Sequence, residues 1–260
     1  MQKQLIECVP NISEGRDKKV IDTISQVAET VDGVKLLDID SGKATNRTVI
    51  TFVGEPEPVI EAAFRLIKKA SELIDMSKHT GEHPRFGATD VCPLVPISGI
   101  TIEETASYAH KLGERVGKEL RIPGYFYEAA AKEEKRKNLA SCRSGEYEGL
   151  ANKLSDPDWT PDFGPAQFTE SVAKTGATAI SARDFLIAYN VNLNTTSTRR
   201  ANAIAFDIRE AGRIKREGNP ITGKKVLDNN GEPVRIPGKL KAVKGIGWYI
   251  EEYGIAQISY

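Results

Sequence analysis

Apolar and polar residues alternate along the first half of the chain with two different periods. Short segments with a period of two, or with a continuous apolar run, are typical of strands, whereas recurrence every three or four positions is typical of helices. On this basis the sequence predicts strands over residues 3–8, 34–40, 46–54, 89–97 and 122–129, and helices over residues 17–30, 55–75 and 102–120. The order indicates an α/β fold, or α+β layers, in which helices cover a mixed β-sheet.

The pattern weakens after residue 130 and then returns. The charged run at 132–137 is interpreted as the solvated face of a helix, and the proline-containing stretch 154–165 as a loop. Further on, the sequence predicts a strand over 185–193, a helix over 196–212 and strands over 241–252 and 255–260. We therefore expect two subdomains, residues 1–178 and 179–260, each built around a βαββ unit.

The second of these units ends on a strand. A βαββ unit with a single helix leaves part of its sheet, or one edge, without cover. We therefore expect the second subdomain to be incomplete, so that either a further part of the chain or a partner chain covers the surface.

Composition and charge narrow the class of protein. The 260 residues are 40% hydrophobic and 28% charged, which is ordinary for a globular protein, and 36 basic residues balance 36 acidic ones. This balance gives no indication of a nucleic-acid or membrane-surface partner. We expect neither a secretory signal nor a membrane span. Three scattered cysteines, Cys8, Cys92 and Cys142, favour reduced thiols and a cytoplasmic protein.

The stretch HTGEHPRFG, residues 79–87, carries two of the three histidines of the chain. Its H-x-x-E-H pattern binds zinc when both histidines lie on one helical face. Gly81 and Pro84 disfavour a helix here, which argues against a metal site. Two interpretations remain, a polar loop with purely structural histidines and an acid–base site. The third histidine, His110, lies within a predicted helix and is more typical of a structural residue.

Two other features are candidates for a site. Asp38 and Asp40 alternate along a strand and share one face, where one of them can orient a catalytic imidazole. The segment 213–244 contains nine Lys or Arg residues and three acidic ones, a local net charge of +6. It contains a predicted hairpin with its turn at 229–231, which is either a solvated surface hairpin or an electropositive wall for a polyanion.

Seven longer motifs then point to one family. They are ECVPNISEG (7–15), LLDIDSGKATNRTVITFVG (36–54), LIDMSKHTGEHPRFGATDVCPLVP (73–96), SGEYEGL (144–150), PDFGP (161–165), FLIAYNVNL (185–193) and IGWYIEE (246–252). In this order they resemble the glutamate formimidoyltransferase family, whose members are fused to a cyclodeaminase in animals. Family members continue past the AQISY motif at 256–260, so the resemblance implies that this chain is truncated there.

The resemblance implies an enzyme of histidine degradation and one-carbon metabolism. It would transfer the formimino group of N-formimidoyl-L-glutamate to tetrahydrofolate, its co-substrate, without a metal. The family's catalytic histidine, in its E-H-P-R motif, falls on His83, and we take Asp40 as the carboxylate beside it. The folate-binding segments fall on Asp162, Phe163, Gly164, Pro165, Ala166, Gln167, Phe168, Thr169, Glu170, Ser171 and Val172, and on Pro237, Gly238, Lys239, Leu240, Lys241, Ala242, Val243, Lys244 and Gly245.

Arginines are the natural partners of the two glutamate carboxylates. Arg47, Arg85 and Arg183 are the candidates, and a homodimer is expected from the family. Two other hypotheses remain open at this point. One is a formyltransferase that uses N-formylglutamate or 5-formyltetrahydrofolate. The other, from a different class, is a folate-binding or assembly protein without turnover.

Overall fold

The computed structural model describes residues 3–220 and 222–260 and divides into two compact units, Met1–Phe185 and Leu186–Tyr260. Residue 221, within the basic segment, lies outside the described residues. The division lies later than the boundary predicted at residues 178 and 179. The reason is that the strand Thr178–Ala182 pairs with two strands of the first unit and so belongs to its sheet.

The first unit alternates strands and helices much as the periodicity predicts. Its elements in chain order are β1 (Leu5–Cys8), β2 (Asn11–Ile12), α1 (Lys18–Gln26), β3 (Val34–Gly42), β4 (Arg47–Gly54), α2 (Pro56–Leu73), β5 (Thr89–Ser98), α3 (Ile102–Arg115), β6 (Gly124–Glu128), α4 (Leu139–Cys142), α5 (Leu150–Ser155), α6 (Glu170–Thr175) and β7 (Thr178–Ala182). The side chain of Asp17 caps α1 by accepting from the backbone N–H groups of Lys19 and Val20. Thr101 and Glu104 form a reciprocal capping box at the start of α3.

The seven strands of this unit form one mixed sheet. Strands β3 and β4 form the predicted antiparallel hairpin, and β1 and β2 lie between β4 and β5 and pair with both of them. Strands β5, β7 and β6 run parallel at the other side. The fold is therefore the expected mixed α/β arrangement.

The two faces of the sheet are covered differently. On one face, α1, α2 and α3 pack on Ile50, Phe52 and Leu94 in the larger core. On the other face, a smaller core that contains Tyr125 and Leu150 covers the parallel strands. Along β4, buried residues that face the larger core alternate with only partly buried ones on the opposite side. We call this less covered side of β3 and β4 the open face.

The charged run at 132–137 does not form the predicted solvated helix face. It contains only a short 3₁₀ turn, Glu134–Arg136, and the side chain of Arg136 is buried. Its Nη1 donates to Asp162 Oδ1 at 2.6 Å, and its Nη2 donates to the Thr160 carbonyl at 2.9 Å. The interpretation was wrong at this position because the arginine is drawn inward by a buried carboxylate.

The second unit is smaller. It consists of β8 (Asn190–Asn192), α7 (Thr198–Ile208), β9 (Arg213–Ile214), β10 (Arg235–Ile236), β11 (Ile246–Ile250) and β12 (Ile255–Ser259). Strands β11, β12 and β8 form an antiparallel sheet in that order, and α7 packs on it through Ala201 and Ala205. The βαββ order is as predicted, with the β9–β10 ribbon inserted after the helix.

The strand predicted over 185–193 is much shorter in the structure. Only Asn190–Asn192 forms a strand, although Tyr189 also exchanges two backbone hydrogen bonds with Tyr260. The residues before Tyr189 pair with no strand of the described chain, and Phe185, Leu186 and Ile187 are exposed. An apolar run is necessary for a buried strand, but a neighbouring strand must also be present to pair with it.

Candidate active site around the histidine loop

The stretch 79–87, which we call the histidine loop, connects α2 and a short 3₁₀ turn to β5 and contains no helix. Its first part packs against the β3–β4 turn, where a Cβ at Gly81 would clash with the Thr45 carbonyl. Its end forms a bridge between Gly87 and Gly176, where a Cβ on Gly87 would clash with the Ala177 carbonyl. The two glycines therefore let the loop lie directly on neighbouring backbone, which holds it in place.

His79 is tied to the protein through both ring nitrogens. Nε2 lies 2.9 Å from the Asn46 carbonyl oxygen, so this nitrogen carries the proton and donates it. Nδ1 accepts a hydrogen bond from Arg85 Nε at 3.3 Å. Burial lowers the pKa of His79 below its ordinary value, and the Arg85 charge acts in the same direction. This histidine is a neutral structural residue that links the loop to the β3–β4 turn.

His83 is held in place through its ring nitrogen Nδ1. Nδ1 lies 2.7 Å from the Pro84 carbonyl oxygen, which can only accept, so Nδ1 carries the proton and Nε2 has the basic lone pair. Burial, followed by the charges of Arg47 and Arg143, lowers the pKa of His83 to about 4, and the hydrogen bond to the Pro84 carbonyl and the charge of Asp90 offset this only in part. The imidazole is therefore neutral near pH 7 and has a defined tautomer.

A buried carboxylate organises the charges around His83. Asp90 has no exposed surface, and its Oδ2 accepts from Arg47 Nη1 at 2.5 Å and from Arg143 Nη1 at 3.0 Å. Its Oδ1 accepts from the Phe86 backbone N–H at 3.2 Å, which connects the cluster to the loop. One anion thus serves two cations, and the cluster keeps a net positive charge beside the imidazole.

Asp90 and Arg143 were not among the residues that the sequence predicted for the site. A signal for Asp90 was present, since it is the only charged residue in the otherwise apolar strand TDVCPLVPI at 89–97. A buried carboxylate needs a cation or several hydrogen bonds. No local pattern identifies Arg143, because it reaches Asp90 from the segment after α4.

Arg85, a predicted substrate-binding residue, directs its guanidinium group at two glutamates of the protein itself. Its Nη1 and Nη2 donate to the two carboxylate oxygens of Glu148 at 2.9 and 2.7 Å, and Glu146 lies 3.3 Å from Nη1. These acids raise the pKa of Arg85, the Glu148 hydrogen bond being the largest cause. The Arg85 carbonyl also accepts from the Tyr147 N–H at 3.0 Å. This arginine therefore anchors the histidine loop to the segment 144–150.

The other predicted catalytic and substrate-binding residues lie at the open face or next to it. Arg47 is on that face, and so is Asp40, because Asp40 lies opposite Val49 in the β3–β4 register and Val49 follows Arg47 by two positions. Asp40 is exposed. Arg183 follows β7, and its charge partly offsets the burial that raises the pKa of Glu7. The structure thus brings Arg47 into contact with the Asp90 cluster and leaves Asp40 accessible on the same face.

The first predicted folate segment, 162–172, combines structural and exposed residues. Asp162 accepts from the Phe126 backbone N–H at 2.9 Å, and Phe163 and Val172 are buried in the cores. The residues between them are mainly exposed, and the ring of Phe168 lies 6.4 Å from that of Tyr147. An accessible edge of this segment is thus connected, through Tyr147, to the backbone of the histidine loop.

The second predicted folate segment, 237–245, wraps around the C-terminal end of α7. The Leu240 N–H donates to the Ile208 carbonyl at 3.0 Å, and the Ala242 N–H donates to Glu210 Oε2 at 2.8 Å. The second half of this segment lines a cavity of about 740 Å³. The residues around the cavity are Arg209, Glu210, Ala211, Ala242, Val243, Lys244, Gly245, Ile246, Ser259 and Tyr260.

Among residues 3–220 and 222–260, the structure places no group of three or more His, Cys, Asp or Glu side chains where they could hold a metal ion. In the same part of the chain, no helix combines the length and the apolar character needed to cross a bilayer. What the histidine loop does provide is a neutral imidazole of fixed tautomer next to a net positive charge. That arrangement can accept and return a proton while it binds an anion.

Comparison with known proteins gives matches to both parts of the chain. A family model for the N-terminal subdomain of the formiminotransferase domain matches residues 5–183, and a formiminotransferase domain model matches residues 188–260. Formimidoyltransferase-cyclodeaminase of Mus musculus is 48% identical over 256 residues, which are 98% of this chain but 43% of the mouse protein. The chain thus spans less than half the length of that relative.

Two shorter relatives are matched over a larger share of their length. Glutamate formimidoyltransferase of Streptococcus pyogenes serotype M1 is 42% identical over 98% of this chain and 76% of its own length. Glutamate formimidoyltransferase of Thermoplasma acidophilum is 48% identical over 79% of this chain and 67% of its own length. With both subdomain models matched in order, the chain belongs to the formiminotransferase domain family.

Proposed function

We propose that this protein transfers the formimino group of N-formimidoyl-L-glutamate to tetrahydrofolate, with release of L-glutamate and 5-formimidoyltetrahydrofolate. The names of the bacterial and archaeal relatives support the glutamate derivative as donor. The observation that carries the proposal is the state of His83. Its proton is fixed on Nδ1 by the Pro84 carbonyl, and its low pKa keeps the ring neutral.

The reaction needs a group that moves one proton twice. The attacking nitrogen of tetrahydrofolate forms a bond to the formimino carbon and must lose a proton. The departing glutamate nitrogen must gain a proton as its bond to the same carbon breaks. His83 Nε2 accepts the first proton and delivers it to the second nitrogen. General acid–base catalysis of this kind contributes about 10²- to 10⁴-fold in rate.

The positive surroundings of His83 favour the second half of this transfer. Burial and the charges of Arg47 and Arg143 lower the pKa of the ring to about 4, so the imidazolium formed in the first step is a stronger acid than an ordinary imidazolium. A more acidic imidazolium protonates the departing nitrogen more readily, so the ring does not retain the proton. The same two arginines have further N–H donors, since Asp90 occupies only one nitrogen of each.

We assign the carboxylates of the donor to Arg47, Arg143 and Arg183, and we assign Arg85 to the scaffold. Arg85 directs both terminal nitrogens at Glu148, whereas Arg47 and Arg143 share a single carboxylate and retain net charge. Asp40 is proposed to meet the substrate directly on the open face, because the Pro84 carbonyl already orients His83. For tetrahydrofolate, the exposed part of 164–171 is the candidate segment in the first unit, and the cavity lined by 242–245 is a separate candidate in the second.

The transfer assay tests this proposal on the 260-residue chain. N-formimidoyl-L-glutamate and N-formyl-L-glutamate are each supplied with tetrahydrofolate, and release of glutamate and the modified folate are both followed. We expect turnover with the formimino donor, and a loss of at least about a hundredfold in His83→Ala. A folded His83→Ala protein with unchanged turnover would refute the assignment of the base. Turnover with the formyl donor alone would refute the assignment of the donor.

A further inference from the structure

The second unit contains a pocket whose walls are rich in arginine. It has a volume of about 290 Å³ and is formed by α7, by the β9–β10 ribbon and by the residues after β9. Its lining comprises Arg199, Asn202, Ala203, Phe206, Arg209, Arg213, Ile214, Arg216, Pro220 and Arg235. We call it the arginine pocket. All of these residues belong to the second unit, so the pocket is defined within that unit alone.

The sequence places these side chains together for a simple geometric reason. Residues 199, 202, 203 and 206 follow a helical spacing of three, four and seven, so they share one face of α7. The opposite face of the helix carries Ala201 and Ala205, which pack on the sheet. The β9–β10 ribbon then adds arginines across from the outward face of the helix. The pocket is therefore a consequence of the ribbon that follows α7.

The positive charges of this pocket are poorly neutralised. Among the described residues, the ion pairs of its five arginines are limited to that between Arg213 and Asp207. Arg209 donates to the carbonyls of Gly212 and Gly245, both at 3.1 Å, and its pKa is lowered by burial and by the charge of Arg235. Holding several guanidinium groups together costs free energy unless an anion is bound between them.

Two of these arginines, Arg209 and Arg216, are held in position by contacts within the unit. The guanidinium carbon of Arg209 lies 4.0 Å from the ring centroid of Phe206, and Arg216 Nη1 donates to the Gly223 carbonyl at 2.6 Å. A guanidinium has five N–H donors, so these contacts leave others for a ligand. Arg209, Arg213 and Arg216 are partly buried, whereas Lys224 and Lys225 of the same basic segment are exposed and do not line the pocket. The segment is thus more than a solvated hairpin.

We propose that the arginine pocket binds a small polyanion with at least two neighbouring anionic groups, either a di- or triphosphate or a tricarboxylate. Guanidinium groups pair with phosphate and carboxylate oxygens through two parallel hydrogen bonds, and five arginines line this pocket. The volume fits a small anion, and Phe206 and Ile214 add apolar surface to the walls. The site does not depend on formimino transfer, because it contains no residue of the histidine loop.

Titration calorimetry on the 260-residue chain at low salt tests this proposal with tripolyphosphate and with citrate as probes. We expect one of them to bind with a stoichiometry of one, and the difference between the two identifies phosphate or carboxylate as the preferred group. The double variant Arg216→Gln/Arg235→Gln should weaken binding at least about tenfold. The matched control Lys224→Gln/Lys225→Gln removes the same charge from the same segment and should change affinity less than about twofold.

Two results would overturn the proposal. One is the absence of binding of both probes to the unaltered chain at low salt. The other is an equal loss in the arginine and lysine variants, which would reveal diffuse charge attraction rather than a site. Circular dichroism and thermal unfolding verify that each variant is folded. If the double variant does not fold, Arg199→Gln serves in its place, because Arg199 is exposed on the surface of α7, and an affinity loss of about threefold or more is expected.

Discussion

The two halves of the histidine loop use the same residue types for opposite purposes. On the His79 side, the imidazole is bonded through both nitrogens and Arg85 is paired with two glutamates. On the His83 side, a carbonyl fixes one nitrogen, and the neighbouring arginines share a single buried aspartate. The first half pairs its arginine with two acids, while the second combines an imidazole protonated on Nδ1 with surplus positive charge.

This difference shows that residue type and position in the chain do not separate a structural from a chemical histidine. His79 and His83 lie in the same short loop, and both have a lowered pKa for which burial is the largest cause. What separates them is the charge around them, since Arg85 beside His79 is paired with two glutamates, whereas Arg47 and Arg143 near His83 share one aspartate. The predictions that follow test this comparison, in order of decreasing expected effect.

The largest effect is expected from removing the shared carboxylate. Asp90→Asn leaves two buried guanidinium groups without a negative charge, which should lower the free energy of unfolding by about 3–5 kcal/mol. Glu148→Gln is the matched change on the other half. Its side chain is 66% exposed, so the loss should be about 1 kcal/mol or less. Chemical denaturation followed by circular dichroism measures both, and equal losses would contradict the distinction between the halves.

The second prediction concerns the structural histidine, His79. His79→Ala removes the partners of the Asn46 carbonyl and of Arg85 Nε, so it should lower the free energy of unfolding by about 1–3 kcal/mol. Turnover of the folded protein should change less than about threefold, since no proton transfer is assigned to this ring. A hundredfold loss of turnover in folded His79→Ala would show that the base is His79 rather than His83.

The third prediction concerns the arginines and the Michaelis constant. Arg143→Gln should raise KM for the formimino donor about tenfold, because it removes a cation with donors left for a substrate carboxylate. Arg85→Gln should leave KM within about twofold and instead lower the melting temperature, because Glu148 and Glu146 lose their partner. Initial rates and thermal unfolding of the same preparations give both quantities. A KM effect confined to Arg85→Gln would reverse the assignment.

The smallest effect is expected in the pH dependence. The pKa of His83 is about 4 in the folded protein and 6.5 for the ordinary residue. The ring therefore stays neutral, and able to accept a proton, as the pH falls below 7. The histidine contribution to kcat should be constant between pH 7 and about pH 5 and should decrease only near pH 4. In Arg143→Gln the decrease should move to higher pH, because one of the charges that lower the pKa is gone. An unchanged profile would contradict this.

The same shift has a consequence for stability. Below pH 6.5 the unfolded chain begins to bind a proton at His83, while the folded chain binds it only near pH 4. The unfolded state therefore binds more protons in this window, and stability decreases as the pH falls from 6.5 to 4. His83→Gln should reduce this dependence, which is measured as the difference in unfolding free energy between the two proteins across the window.

Sequence periodicity predicted most of the elements because each has a face that must be buried. The helix α2 is an example, with two prolines and an acid at its start and a regular apolar stripe behind them. The strand predicted at 185–193 was too long, because burial of an apolar run is only one of the two conditions for a strand. Its apolar character was clear, but pairing depends on a neighbouring strand that hydrophobicity does not reveal.

The site was predictable to a smaller degree. The backbone argument from Gly81 and Pro84 correctly excluded a helix at the histidine loop. The sequence did not reveal that Arg85 is paired with Glu148, because the two residues are far apart in the chain and meet only after α4 is placed. The Asp90 cluster was missed for the same reason, since a buried charge reveals its partners only in three dimensions.

One backbone oxygen, the Pro84 carbonyl, contacts both the proposed catalytic histidine and a neighbouring arginine. The Pro84 carbonyl accepts from His83 Nδ1 at 2.7 Å and also from Arg143 Nη1 at 2.9 Å. Reorientation of that single peptide group would therefore disturb proton affinity and anion recognition together. An exchange in this loop that tunes one of the two properties through this oxygen therefore also retunes the other.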